Sequence, residues 1–300
     1  MTVKITFLGT ADAIPSKDRN HTAILLTYEE ENILVDCGEG TQRQFRKAEL
    51  NPCKITRILI SHWHGDHVLG IPGLLQTLAF SGYNKTLFIY GPKGTKKYIN
   101  EMLNTFVFVN KFKIEVKDIE KSGKFFETER FYLEAEKLYH GIPGYAYNFI
   151  RKGKFKIDKT KLRKAKLPQN SLLQELKKGK DIVYEGKKYK AKDLVYREDD
   201  EKISFVLDTG FDKKIIPFVK NSDLLISEAS FSESEKDKAK EHKHLTSSQA
   251  GEIAKKSNSK KLFLTHLSQR YERNPEKLLN ETKKIFKNSF LAKDLDIIEV

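Results

Sequence analysis

The stretch Ser61-His62-Trp63-His64-Gly65-Asp66-His67 places three histidines and a carboxylate within a few positions. The run before it, Ile55 to Ile60, is rich in β-branched residues and predicts a buried strand. The apolar segment after it, Val68 to Phe80, predicts a helix. The cluster therefore falls on a tight loop at a strand end, where α/β layered folds carry their sites. Neutral imidazole and carboxylate are ligands suited to zinc and its first-row neighbours. Four such groups on one short loop cannot all point to water or all pack into a core, which argues against a merely histidine-rich surface loop.

One loop cannot complete two metal shells, so further ligands must come from elsewhere. Eight histidines are available: His21, His62, His64, His67, His140, His242, His244 and His266. His140 ends the alternating run Phe131 to Tyr139. Asp208 ends Ile203 to Leu207 and is followed by Thr209-Gly210; His266 ends Lys261 to Thr265. Each lies at the C-terminal end of a predicted strand, as the first cluster does. Singly, each reads more readily as a satisfied or surface residue; beside the histidine loop they read as a set.

A chain of 300 residues can bury a sizeable core in one large domain or two. Hydrophobic residues make up 39% and charged residues 32%, which implies a globular chain with a very polar surface. No apolar run is long enough to span a membrane. The alternation Met1 to Gly9 lacks the features of a signal peptide. Two cysteines, Cys37 and Cys53, make no disulfide framework and favour a cytoplasmic protein with free thiols.

The formal net charge is +14, and its distribution is uneven. Residues 151–197 hold seventeen Lys and Arg against five Asp and Glu, a net of +12. Such a block is an electrostatic footprint for a polyanion, or else a solvated lysine-rich surface. Within it, Ser171 to Lys178 predicts a short helix stopped by Gly179, and Glu185-Gly186 joins Ile182-Val183-Tyr184 to Lys188-Tyr189 as a hairpin. Arg151 to Ile157 and Leu194 to Tyr196 would be its outgoing and returning strands. Its Tyr and Phe residues, interleaved with Lys, suit base stacking, or equally a small core.

Outside that block, strands come first in runs and then alternate with helices, in two halves. The pattern predicts an α/β fold of two packed sheets flanked by helices. Residues 1–150 and 198–300 would form the main domain and 151–197 an inserted arm. Thr95 to about Phe106 predicts a helix. Thr246-Ser247-Ser248-Gln249 has the capping-box pattern and opens another. Asn274-Pro275 offers an N-cap and a first helical residue.

The pattern H-x-H-x-D-H, with His140, Asp208 and His266 in that order, resembles the ligand set of the metallo-β-lactamase superfamily. Further motifs narrow the resemblance. They are Pro15-Ser16-Lys17-Asp18-Arg19-Asn20, Asp36-Cys37-Gly38-Glu39-Gly40-Thr41-Gln42-Arg43-Gln44, His140-Gly141-Ile142-Pro143-Gly144-Tyr145, Leu207-Asp208-Thr209-Gly210, His244-Leu245-Thr246 and His266-Leu267-Ser268. Together they resemble the ribonuclease Z family, at the length of its short form and over almost the whole chain.

That resemblance implies a four-layer αββα metallo-β-lactamase sandwich with a protruding basic arm. It implies a zinc-dependent endoribonuclease that removes the 3′ trailer of precursor tRNA, with two zinc ions per subunit, acting as a homodimer away from any membrane. His62, His64 and His140 would hold one zinc, Asp66, His67 and His266 the other, and Asp208 would bridge. Asp66 would also orient the attacking water. His244, with a carboxylate such as Glu228, would protonate the leaving 3′ oxygen, unless it is only a helix-entry residue. Asp36 would fix a ligand histidine or cap a turn. Lys17 and Arg19 would meet acceptor-stem phosphates or be ordinary surface basics. Residues 151–197 match the family's RNA-gripping arm, whose usual Gly-rich turn is here Ala165-Lys166-Leu167-Pro168-Gln169-Asn170. A lactonase- or arylsulfatase-type small-molecule hydrolase on the same fold is the alternative, and a non-catalytic RNA-binding protein a third.

Overall fold

The computed structural model describes residues 2–105, 107, 111–168 and 170–300. Met1, Phe106 and Gln169, which belong to runs read above, lie outside them. In chain order, β1 (Lys4–Gly9), β2 (Ala23–Tyr28), β3 (Glu31–Val35), β4 (Arg57–Leu59), β5 (Leu87–Pro92) and β6 (Ile114–Ile119) line up as one sheet. β7 (Gly123–Glu127), β8 (Phe131–Lys137) and β9 (Tyr145–Arg151) begin a second. β10 (Phe155–Ile157) pairs with β13 (Val195–Arg197), and β11 (Ile182–Tyr184) with β12 (Lys187–Tyr189). β14 (Glu201–Val206), β15 (Leu224–Glu228), β16 (Leu262–Thr265) and β17 (Ser289–Leu291) complete the second sheet, in the order β17-β16-β15-β14-β9-β8-β7. β18 (Ile297–Glu299) returns to the first sheet beside β1.

Side-chain alternation along these strands builds the layers. Ile5 and Phe7 of β1 and Ile24 and Leu26 of β2 pack between the sheets against Tyr147, Phe149 and Phe205. Leu8, Leu25 and Ile58 point the other way, onto Phe45, Leu74, Leu75 and Ile99 of the helices Thr41–Lys47, Ile71–Phe80 and Thr95–Thr105. The second sheet is covered likewise by Ile215, Ala250, Ile253 and Leu278 from the helices Ile215–Phe218, Ser247–Lys256 and Glu276–Lys283. Both sheets are thus buried on two faces, giving the four-layer αββα sandwich expected.

Several local expectations shift. The predicted helix Val68 to Phe80 is two pieces, Gly65–Val68 and Ile71–Phe80. The break comes at Gly70, whose N–H bonds Cys37 O at 2.9 Å and whose Cα lies so close to Gly38 that a Cβ would meet Gly38 O at 2.0 Å. Pro275, not Asn274, is the N-cap of the last helix. β7 was not anticipated; its Lys124-Phe125-Phe126 run carries a register shift that hides the alternation. β17 was not anticipated either. The capping box at Thr246 is present, with Gln249 N donating to Thr246 Oγ1 at 3.2 Å and Thr246 N to Gln249 Oε1 at 2.9 Å.

Residues 151–197 have their own core of Leu162, Leu176, Ile182, Leu194 and Val195, with Tyr184 and Tyr189 packed against it. Phe155 and Tyr196 stay exposed. Two helices here, Lys159–Lys164 and Ala191–Leu194, were not read from the sequence. The glycine-free turn is accommodated by Lys166, which takes the left-handed conformation at φ 54° after the first of them. The strands that flank this segment, β9 and β14, are tied by an Arg151–Glu201 ion pair.

The N-terminal loop is stapled by a residue no pattern suggested. Asp294 accepts from Thr10 Oγ1 at 2.7 Å, Asn20 N at 2.7 Å and Gln44 Nε2 at 2.8 Å. Asp294→Ala strands these donors in a largely enclosed site, where each unpaired group costs about 1–3 kcal/mol. Urea unfolding should show a lowered midpoint with an unchanged slope.

Candidate metal centre

β3 to β6 run parallel to one another, as do β14 to β17. The carboxyl ends of both sets meet at one edge of the sandwich. Asp36 follows β3, the histidine loop follows β4, His140 follows β8, Asp208 follows β14, Glu228 ends β15 and His266 follows β16. Asp36, Asp208 and His266 all take positive φ, at 57°, 46° and 54°. Each chain thus turns sharply just past its strand and presents its side chain at the edge; Asp and His tolerate this conformation better than most residues. Gly38 lets the turn after β3 close on the loop, since a Cβ there would lie 2.4 Å from both Asp66 O and His21 Cβ. Cys37 N donates to His67 O at 2.8 Å.

All seven residues expected to be ligands come together, in two overlapping groups. His62, His64, His140 and Asp208 form one; Asp66, His67, Asp208 and His266 form the other; within each, one ligand atom per residue lies within 4.8 Å of the rest. Their partners fix the tautomers. His67 Nδ1 donates to buried Asp36 Oδ2 at 2.6 Å, and Asp36 also accepts from Ser61 N and Ser61 Oγ, both at 2.7 Å. His140 Nδ1 donates to Lys243 O at 2.9 Å. Ser230 Oγ donates to Glu228 Oε2 at 2.8 Å, so His266 Nδ1, 2.9 Å away, donates to Ser230. When these rings are neutral, the Nε2 atoms of His67, His140 and His266 therefore carry lone pairs, whereas Asp208 favours the protonated form of His67 and His266 as long as no cation stands between them.

These lone pairs face one another. His67 Nε2 lies 3.2 Å from His266 Nε2, and His266 Nε2 lies 3.1 Å from Asp208 Oδ1. Asp208 is buried, and its Oδ1 has no hydrogen-bond partner. Burial would raise its pKa, but His266, His67 and His62 outweigh burial and hold it well below the usual carboxylate range. Acceptors converging on acceptors fit cations held between them. The imidazole and carboxylate set suits zinc or a neighbouring first-row metal.

Beside this centre, His244 Nδ1 lies 3.0 Å from Glu228 Oε2. Glu228 is fully buried and also accepts from Thr209 N at 2.6 Å. Burial lowers the His244 pKa, but Glu228 more than reverses this and raises it to about 9. Glu228, His244 and His266 form a third group close enough to hold an ion. His64, Asp66, His140, Asp208, His244 and His266 line an open cleft of about 380 Å³, together with Asp12, Ile14, Phe231, His242 and Arg270.

Lys17 is exposed on the N-terminal loop. Arg19 turns inward: its Nη1 donates to Thr10 Oγ1 at 2.6 Å and Ala292 O at 2.7 Å, so its guanidinium fastens that loop. Ser230 escaped the sequence reading, although it stands two positions after Glu228, and Thr209 was read only as part of the motif around Asp208. Asn20 and Gln44, within the quoted motifs, are architectural: Asn20 Nδ2 donates to Glu39 O and Gln44 Nε2 to Leu8 O, both at 2.7 Å.

A family model described as "Anti-Pycsar protein Apyc1" matches residues 3–137, less than half of the chain. Ribonuclease Z of Nanoarchaeum equitans is 38% identical over 299 residues, covering 98% of this chain and 92% of that protein. The chain belongs to the ribonuclease Z family. Ribonuclease Z of Oceanobacillus iheyensis is 36% identical, covering 99% of this chain and all of that protein. Among solved structures, the short form of human tRNase Z superposes with a TM-score of 0.73 at 29% identity, covering 98% of each chain. The metallo-β-lactamase fold protein YhfI of Bacillus subtilis, at 21% identity and a TM-score of 0.71, shares the fold.

Asp36 is the buried carboxylate that orients His67 from behind. Asp36→Asn should weaken metal affinity by roughly 10- to 100-fold, the scale found when such outer partners are removed. Competition with a chromogenic chelator measures it on the purified protein.

Proposed function

We propose that this chain is the endoribonuclease of its family type: it cuts precursor tRNA on the 3′ side of the acceptor stem and releases the 3′ trailer. The observation that carries the proposal is the full donor set at one sheet edge, with the His244–Glu228 pair beside it, in a chain related to ribonuclease Z over nearly its full length. His62, His64 and His140 would hold one zinc ion, Asp66, His67 and His266 a second, with Asp208 between. Zinc pairs supply, when bound, water activation near neutral pH and neutralisation of phosphate charge.

The chain's own groups handle the protons. Asp66 orients the attacking water and accepts its proton. The water oxygen bonds to phosphorus as the bond from phosphorus to the 3′ oxygen breaks. His244, held by Glu228 through Nδ1, gives its Nε2 proton to that leaving oxygen. The products are a tRNA with a 3′-hydroxyl and a trailer with a 5′-phosphate. Lys17 contacts acceptor-stem phosphates from the loop that Arg19 fastens; Arg19, its Nη1 engaged inward, serves RNA through that loop.

Residues 151–197 are the arm that grips the body of the RNA, by a net charge of +12. β9 begins at Tyr145, whose N–H bonds Ser61 O at 2.9 Å beside the metal loop, and ends at Arg151; β14 returns from Glu201 towards Asp208. The arm therefore leaves the edge remote from its own site, roughly 20 Å away at about 3.3 Å per residue. That placement supports a homodimer in which each arm serves the partner's site. Among the described residues, no helix is long and apolar enough to cross a membrane. With both cysteines unpaired and tRNA as substrate, we place the enzyme in the cytoplasm.

Incubation with labelled precursor tRNA, followed by mapping of both new ends, tests the proposal; turnover of a lactone or aryl sulfate without RNA cleavage would replace it by the small-molecule reading. His244→Ala should slow the chemical step by roughly 10²–10⁴-fold, the usual scale of general acid catalysis. A better leaving group should recover part of that loss, with metal content unchanged. Replacing residues 151–197 by a Gly-Ser linker should spare turnover of a small chromogenic phosphodiester and weaken tRNA binding by orders of magnitude. The salt slope should flatten by roughly 0.7–0.9 for each phosphate that the protein no longer neutralises. Parallel loss of both activities would assign the segment to core support.

A further inference from the structure

The cleft extends past the metal ligands to a wall that the hydrolytic chemistry does not use. Phe231 forms its base, following β15 and almost wholly buried. Its backbone is fixed on both sides, with Phe231 N donating to Leu245 O at 3.3 Å and Ser247 N donating to Phe231 O at 2.8 Å. The His242 ring lies parallel to the Phe231 ring, with centroids 6.1 Å apart and planes 3° apart. The Arg270 guanidinium sits over the same ring, 5.1 Å from its centroid. His242 and Arg270 are exposed to the cleft, and the Phe231 ring is 6.0 Å from that of His244. Planar groups of this kind, kept flat by a rigid aromatic and open on one side, are what a nucleobase stacks on.

The chemistry decides which base. His244 delivers its proton to the 3′ oxygen of the last nucleotide retained by the tRNA, so that nucleotide's ribose stands beside His244. A base on that ribose reaches the neighbouring wall, whereas the first trailer nucleotide lies across the phosphate. Resting on the RNA-processing reading above, we infer that Phe231, His242 and Arg270 form a stacking subsite for the base immediately 5′ to the scissile phosphate. Stacking accepts every base, because each has a π-face. The subsite therefore positions the 3′ end for cleavage and tolerates different bases there, with a modest preference for purines.

A double-mutant cycle tests this. Arg270→Ala and His242→Ala remove exposed side chains and leave buried Phe231 in place. The substrates are a precursor tRNA and the same precursor with an abasic ribose at the last retained position. Each kcat/KM is divided by turnover of bis(4-nitrophenyl) phosphate in the same preparation, which removes any difference in metal loading or fold. Arg270→Ala should lower the normalised value on the normal precursor by roughly 5- to 150-fold, the range for removal of one base stack. The abasic precursor should lose a similar factor with wild-type protein, and the variant should lose little more on it. Losses that multiply would overturn the subsite, because the side chain and the base would then act independently; so would an unchanged value in both variants. Failure of wild-type protein to cut the normal precursor would overturn the RNA-processing reading itself, and is distinguishable because it needs no variant.

Discussion

The structure depends on a conflict between acceptors. Imidazole lone pairs from His67, His140 and His266 are fixed towards the edge of the sandwich by acceptors behind them, and the buried Asp208 carboxylate sits among them. Without positive charge this arrangement would be costly, because the buried acceptors of His67, His266 and Asp208 face one another with no donor between them. The fold meets the requirement by bringing strand ends from two sheets to one edge and turning three of the residues that follow them through positive φ. The αββα architecture is the support that keeps those turns in register.

The same edge organises the rest. Ser230 joins His266 to Glu228, and Glu228 holds His244, so the hydrogen bonds behind one proposed ligand continue to the proposed proton donor. Ser61 joins Asp36 to His62 in the same manner. The arm lies at the other extreme. It has a separate small core and leaves the second sheet at the end remote from the ligands. In the proposed function, chemistry and RNA grip would thus fall at opposite ends of the second sheet, which fits a pair of chains in which each arm serves the other's site.

How far the sequence could be read follows from the range of the interactions. The histidine loop, the ends of β8, β14 and β16, and the capping box at Thr246 are local patterns, and the expected ligands do meet. β7 and β17 were missed because a register shift or a short length removes the alternation on which strand reading rests. Asp294 was invisible because its partners Thr10, Asn20 and Gln44 are hundreds of positions away along the chain. For Arg19, expected to meet phosphates, the inward bonds of Nη1 to Thr10 and Ala292 could not be read from the sequence, because they depend on the fold. The arm's aromatics had two open readings, and the structure divides them: Tyr184 and Tyr189 pack inside, Phe155 and Tyr196 stay outside.

Asp208 is proposed to stand between two cation sites. A crystal of protein purified without chelator, with anomalous differences recorded on both sides of the zinc absorption edge, measures it directly. Two zinc peaks per chain are expected, one in each ligand group, with Asp208 in contact with both. A single peak, or one seated between Glu228, His244 and His266, would contradict it.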